Sequence, residues 1–509
     1  MIQVVWFKRD LRVHDNEALT RAAEQGPVLP LYIVEPDLWR QPDSSSRHWT
    51  FCRESLLSLR EALADLGQPL VIRQGPSVTV LREMVRSEIV GAVWSHSETG
   101  NGWSFARDKA VAAMLAEEGI PWYQPAQHGV VRGYCDRDAW SKQWERMMAR
   151  ERFRSPCLIP LRRIDPGTLP ELPFEDYPEN ASPDRQAGGR KAAIDALDSF
   201  LEDRGSRYHM EMSSPLTAGI SCSRISSHLA FGTLSMREAV HATRRRRASV
   251  KQLPQEVRGS WPRALSAFEG RLHWHCHFMQ KLESEPRIEF ENMQRSMNGL
   301  REQETDLHRL ESWMRGETGW PLVDACMRAL RHTGWLNFRM RAMLVSVASY
   351  QLWLHWRLPS LHLARLFTDY EPGIHYSQVQ MQSGTTGINS LRIYNPVKQS
   401  MEQDPNGDFI KHWLPELEGV RPAWIHTPWL MPDYEQKASG VIIDSTYPSP
   451  LVDHEAAARH ARSRMLQARR QQNARHESRE ILERHGSRRR RPSRSRQQSA
   501  QGDLFGNDA

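Results

Sequence analysis

The stretch Trp313 to Arg341, WMRGETGWPLVDACMRALRHTGWLNFRMR, lies where helical pattern dominates the chain. From about Lys191 onward short β-rich runs fade, and long helical patterns carry through Tyr350 to Phe367, so residues 191–450 are expected to form a large all-α domain. Outward from it toward the N-terminus, Pro156 to Pro183 is Pro-rich and irregular and reads as part of an interdomain connector, residues 131–190. Before that, the β-rich runs Gln3–Phe7, Val28–Val34, Leu70–Arg73 and Val90–Ser95 alternate with amphipathic stretches such as Phe51–Leu66 and Ser104–Glu118. This is the pattern of βαβ units and predicts an α/β domain with a Rossmann-like parallel sheet over residues 1–130. Outward toward the C-terminus, apolar content collapses after Pro450 into an Arg, Gln and Ser-rich tail, residues 451–509. Such a composition cannot bury enough surface to offset the entropy of ordering, so the tail is expected to be disordered and basic, with Glu455 to Arg484 patterned as a solvated helix.

The 509 residues suffice for two or more domains at roughly 100 to 200 residues each. No apolar run approaches the roughly 18 residues of a membrane span, and the apolar start Ile2–Phe7 is broken by Lys8, Arg9 and Asp10. A soluble, cytoplasmic protein with no membrane partner is expected. Cys52, Cys135, Cys157, Cys222, Cys276 and Cys326 are scattered without a C-x-x-C pair, which suits a reducing compartment and argues against a disulfide framework or zinc ribbon. Residues 452–509 hold 14 Arg, no Lys and 7 acids, a formal charge of +7 that equals that of the whole chain. The other 451 residues are formally neutral. Nucleic-acid affinity of the body must therefore come from local patches, while the tail attracts phosphates without regard to sequence. Arg488–Arg491 and Arg244–Arg247 read as basic faces that help hold nucleic acid.

Val4-Val5-Trp6-Phe7-Lys8-Arg9-Asp10-Leu11-Arg12, with His14-Asp15-Asn16, runs an apolar strand into a charged loop at the carboxyl end of a parallel sheet, where open α/β sheets place ligands and interdomain contacts. It closely resembles the signature that begins photolyases and cryptochromes. Trp313 to Arg341 is similar to that family's core block with almost no gaps, and Tyr208 to Trp429 resembles its flavin-binding helical domain. The resemblance implies FAD as cofactor, light-dependent action on UV-damaged DNA, and a first domain whose slot holds a light-harvesting second chromophore or stands empty. The chain lacks G-x-G-x-x-G, which leaves that antenna's identity open, and with no Cys beyond Cys326 it lacks the cysteine set of the iron-sulfur branch.

Cys222-Ser223-Arg224-Ile225-Ser226, preceded by Tyr208, resembles the family's hydroxyl-rich helix start, whose free N–H groups suit a pyrophosphate; Cys222 replaces the usual threonine and removes one hydroxyl. By itself an S-x-x-S is a helix cap. Further on, the resemblance implies that Arg341 and Asp369 form an ion pair over the isoalloxazine, that Glu371 lies near its pyrimidine edge, and that Phe268 and Tyr370 also contact the cofactor. A cation there favours a reduced, anionic flavin, and the carboxylate keeps the guanidinium from being a buried unpaired charge. His375 aligns where most repair members carry an asparagine beside flavin N5, and an imidazole there could trade a proton with the flavin near neutral pH. In either case a plain structural role, as a core salt bridge or a core histidine, is the alternative.

Of the family's three electron-carrying tryptophans the resemblance retains Trp356, with Val379 at the proximal site and Gln303 at the distal one. The substrate helix corresponds to Phe268–Phe278, FEGRLHWHCHF, with Trp274 as platform for an extruded base. Arg271 replaces a lesion-contacting glutamate, His275 an arginine and Met381 a second stacking tryptophan, and Arg339 is expected to touch DNA. Leu336-Asn337-Phe338 stands where a histidine pair serves (6-4) repair, so cyclobutane pyrimidine dimers, favoured in single-stranded DNA, are the expected lesion. The alternative is a cryptochrome-like blue-light photoreceptor without repair activity. His273 and His277, one helical turn apart, invite a metal reading, but no acidic or cysteine partner set stands nearby, and no metal is assigned. Finally, Gln501-Gly502-Asp503-Leu504-Phe505 resembles the bacterial sliding-clamp peptide, with Gln501, Leu504 and Phe505 as anchors.

Overall fold

The protein is described by a computed structural model covering residues 1–486, apart from 134–135, 163, 176–181 and 304. Cys135, Arg488–Arg491 and the Gln501–Phe505 peptide lie outside the described residues.

The N-terminal part is a five-stranded parallel sheet of β1 (Ile2–Phe7), β2 (Val28–Val34), β3 (Val71–Gln74), β4 (Val90–Trp94) and β5 (Trp122–Tyr123), in the order β3-β2-β1-β4-β5. Gln3 of β1 pairs with Val28 on one side and Ala92 on the other. Alternation within β1 sends Val5 and Phe7 to one face, where α1 (Glu17–Gln25) and α2 (Ser46–Asp65) pack, and Val4 and Trp6 to the other, under α3 (Ser77–Ser87) and α4 (Gly102–Glu117). Both faces are covered, which is why β1 and β2 read as nearly unbroken apolar runs. Four strands match their expected positions to within a residue; β5, two residues long, carries too short a pattern to be read. The chain reverses its direction of growth between β1 and β4, so the crevice beyond their carboxyl ends is the place for a ligand. There Lys8 pairs with Asp108 at 3.0 Å, and Arg107 with Glu35, Glu98 and Asp108 at 2.7–2.9 Å.

The rest is helical: α5 (Met236–Gln252), α6 (Trp261–Ser284), α7 (Pro321–Thr333), α8 (Phe338–Ser346), α9 (Arg357–Leu366) and α10 (Pro372–Ser383) are the elements that matter here. The core block Trp313–Arg341 contains α7 entire. Pro321 opens it, where no N–H is needed, and Gly334 closes it in the left-handed region at φ 70°. Leu322, Val323, Cys326, Met327 and Leu330 bury its inner face in the largest apolar core, with Trp313, Trp320 and Trp356. The two parts meet at the loop after β1. Leu11 N–H donates to the Phe231 carbonyl (3.1 Å), Arg9 to those of Ala230 and Tyr370 (2.8 Å each), and Arg12 to that of Gly232 (3.0 Å). The buried Arg47 of α2 donates to the Leu330, Arg331 and Leu366 carbonyls.

The helix read over Glu455–Arg484 is present, but it is docked rather than solvated, so the expected tail does not begin at residue 451. Residues 454–485 form α11 (His454–Arg470) and α12 (Gln472–His485), both packed on the helical part. Ala461, Met465 and Ala468, at i, i+4 and i+7, join Tyr350 and Trp353, while Ile481 is fully buried with Leu282, Ile288 and Met293. The stripe is narrow, and the surrounding Arg and Gln hide it in the average composition. Ile481→Asp should therefore cost the docking of α12 at least about 2 kcal/mol. Amide hydrogen exchange is expected to rise across Gln472–His485; unchanged protection there would refute the packing. The basic reading of Arg244–Arg247 also changes: Arg244 pairs with Glu269 and Glu145, Arg247 with Glu269, and Arg246 lies on the Trp261 ring. Among the described residues no helix is long and apolar enough to cross a membrane.

Candidate functional site

A cleft enclosing about 1180 Å³, including its open mouth, is lined by Tyr208, Cys222, Ser223, Arg224, Ser226, Arg341, Asp369, Tyr370, Glu371 and His375. Ten of the twelve residues expected at the cofactor thus share one cavity. The other two stand behind its wall: Ile225 is buried, and Phe268 packs on Phe200 and Tyr208.

Asp369 is the hub. It accepts two hydrogen bonds from Arg341, at 2.9 and 2.8 Å, and one from the Ser226 hydroxyl, with Arg224 close by. Burial alone would raise its pKa, but Arg341, Ser226 and Arg224 together hold it below the usual carboxylate value, so it is ionised at neutral pH. The Arg341 guanidinium lies 4.0 Å from the centre of the Phe367 ring and donates from Nε to the Leu336 carbonyl at 2.7 Å. Arg224 adopts a left-handed backbone at φ 60°, a strain that favours glycine, and sets its guanidinium 4.1 Å over Trp335. Its pKa is pushed down to about 10, chiefly by burial. Burial likewise raises the Cys222 thiol to about 11, so at this position the chain offers an uncharged sulfhydryl.

On the opposite wall Glu371 meets Arg9 of the first domain at 3.4 Å, and burial lifts its pKa to about 7 against that cation's pull. His375 Nε2 lies 2.9 Å from the Ser360 carbonyl, a contact that makes it the protonated nitrogen, and 3.0 Å from the Ser360 hydroxyl. Burial drops its pKa to about 4, so the ring is neutral at pH 7 and does not titrate there as expected from the sequence. Glu371 Oε1, His275 Nδ1 and both amide ends of Gln378 and Gln382 are buried in this cleft without a hydrogen-bond partner among the described residues. Six orphaned atoms around one cavity are costly unless a polar ligand meets them. Gln378 and Gln382 went unread in the sequence, although with His375 and Val379 they recur at helical spacing on one face of α10.

Residues 3–134 match the family model described as DNA photolyase, and residues 268–467 the one described as FAD binding domain of DNA photolyase. A deoxyribodipyrimidine photo-lyase of Alkalihalophilus pseudofirmus is 29% identical over 491 residues, spanning 91% of this chain and 97% of its own length. Cryptochrome-2 of Arabidopsis thaliana is 30% identical, with 89% of this chain and 77% of that protein covered. The chain belongs to the photolyase and cryptochrome family. A bacterial class III photolyase from Agrobacterium tumefaciens superimposes with a TM-score of 0.80 at 25% identity, covering 92% of this chain and 98% of that one.

Against the family's pattern, the residues expected at the substrate divide. Arg271 and Trp274 line a shallow groove on α6 with Pro262, Arg263, Ser266, Ala267 and Gly270. Arg271 also stacks 5.6 Å from the centre of the cleft residue Phe338. His275, one residue on and about 100° around the helix, points away from that groove and lines the cleft instead, its pKa lowered to about 4 by burial. Met381 is buried within α10, and Arg339 binds Gln399 at 3.5 Å; neither lines the groove. Trp356 is wholly buried, its Nε1 donating to Asn292 Oδ1 at 2.7 Å, while Val379 lines the cleft and Gln303 is exposed. His273 and His277 do share a face, but both pack edge-on against Trp140. Among the described residues no group of three or more His, Cys, Asp or Glu side chains is placed to hold a metal.

A second cleft, of about 760 Å³, opens at the switch point of the sheet. Trp6, Lys8, Arg9, Tyr32, Asp43 and Tyr370 are among its lining residues.

Proposed function

We propose that the chain is a DNA photolyase that splits cyclobutane pyrimidine dimers under blue or near-ultraviolet light, with FAD in the cleft built on Asp369. FAD, when bound, supplies the light absorption and the electron that opens the dimer. The protein's part is electrostatic and geometric. Asp369 holds Arg341 and Arg224 in place at no cost in unpaired charge, and these two cations favour an anionic cofactor. Glu371 Oε1 and the amides of Gln378 and Gln382 offer hydrogen bonds that no other described residue satisfies. The observation that carries the repair reading is Arg271, which lines the Trp274 groove and stacks on a residue of the cleft wall. A base unstacked onto Trp274 would lie beside the cleft, and Arg263 and Arg271 would meet its phosphates. A shallow groove with Met381 withdrawn suits a lesion in single-stranded DNA, where less pairing must be broken. The second cleft is assigned to an antenna chromophore.

Purified protein, chemically reduced and illuminated with dimer-containing single- and double-stranded oligonucleotides, is expected to restore thymine, faster on the single strand. No restoration on either would sink the repair reading and favour a photoreceptor, the alternative supported by the buried Met381 and by the displaced His275. Denaturation of the same preparation should release FAD, and release of no second chromophore would remove the antenna assignment.

A further inference from the structure

Tyr370 lines both clefts. Its hydroxyl donates to Asp43 Oδ2 at 2.6 Å and lies 3.1 Å from the Tyr376 oxygen, itself 3.4 Å from the same carboxylate oxygen. Asp43 is only 3% exposed, and Asn101 Nδ2 reaches both of its oxygens at 3.2 and 3.1 Å. The Tyr370 ring is 6.3 Å from that of Tyr376, which is 6.5 Å from Trp356. Two phenols sharing one buried carboxylate thus link the cleft to the buried Trp356.

The chemistry of that group differs from that of Trp356. An oxidised phenol is a strong acid, and a carboxylate 2.6 Å away accepts its proton; Trp356 Nε1 faces an amide oxygen, a far weaker base. We propose that Tyr370, with Asp43 as its proton acceptor and Tyr376 behind it, is the electron donor that reduces the photoexcited flavin in this chain, a role that rests on FAD occupying the cleft. One electron leaves the Tyr370 ring for the flavin while the phenolic proton moves to Asp43 Oδ2. The products are a neutral tyrosyl radical, a protonated Asp43 and a flavin carrying one added electron. An external thiol then returns a hydrogen atom to the tyrosyl oxygen, becoming a thiyl radical, and Asp43 releases its proton to water. Burial, reinforced by Asp43, raises the pKa of both phenols, so each holds its proton before the electron leaves.

The test uses the full-length, FAD-loaded protein labelled with ring-deuterated tyrosine or ring-deuterated tryptophan, illuminated in the oxidised state and freeze-trapped for electron paramagnetic resonance. The amino-acid radical signal is expected to narrow with the tyrosine label alone; narrowing with the tryptophan label overturns the proposal. With thiol present, Tyr370→Phe should slow flavin bleaching at least about tenfold. Asp43→Asn should also slow it and remove the slowing that deuterium oxide imposes on the wild type. Wild-type bleaching in a flavin-replete Tyr370→Phe protein would overturn the assignment as well. If that variant fails to take up flavin, the labelled wild type still decides. Flavin content separates the two readings: a wild-type chain that binds no FAD removes both, whereas one that binds FAD and forms a tryptophan radical removes only the donor.

Discussion

Asp369→Ala is expected to empty the cleft. The substitution leaves Arg341 and Arg224 facing each other without the carboxylate that both approach, and stranding a partly buried charge costs about 3–5 kcal/mol. Two effects should appear together: a fall in the flavin-to-protein absorbance ratio to near zero and a lowered melting temperature of the flavin-free protein. Wild-type values of both would refute the hub. The sign of the pH dependence is fixed by the same contacts. Because the folded pKa of Asp369 lies below the unfolded value of about 3.9, its contribution is fully present above that value and is lost as pH falls through the folded one. Asp369→Ala should therefore destabilise by a constant amount across neutral pH, and the gap to wild type should close only in acid.

Gly232→Val is the second large effect. Gly232 takes φ 70°, and a side-chain carbon there would overlap the Arg9 carbonyl and the Asp10 backbone. A β-branched residue adds its own strain in that conformation, so the total is on the order of 3 kcal/mol or more. The damage would not stay local, because the displaced loop carries Arg9, which holds Glu371 and the Tyr370 carbonyl. Thermal unfolding and flavin retention should both fall. Gly219→Ala is the control: a side chain there meets open space within a helix and should be neutral or stabilising by about 0.5–1 kcal/mol. Equal behaviour of the two variants would dismiss the steric account.

How far the sequence could be read follows the range of the forces involved. β1 and β2 were legible because their β-rich runs and the breaks that bound them lie within a few residues of each other. The pair Arg341 and Asp369 was legible because the block around it resembles a known one. By contrast, Glu371 faces the Arg9 cation and the Tyr370 hydroxyl donates to Asp43, partners more than 300 residues away whose approach no local pattern encodes. His275 was misplaced for a different reason: adjacent helical residues face about 100° apart, so Trp274 and His275 could not both serve the groove. Helix after Pro450 was legible over Glu455–Arg484, but its docking was not, because only Ala461, Met465 and Ala468 hold α11 down amid many charges.

Tyr370 lines both clefts, and Arg9 of the second reaches Glu371 of the first, so the two clefts are neighbours. The sheet domain is therefore not an exchangeable module. An antenna site grafted from a relative would bring its own loop after β1, and with it a different counter-charge for Glu371 and a different seat for Tyr370. The loop after β1 and the walls of both clefts have to be inherited, or redesigned, as a unit.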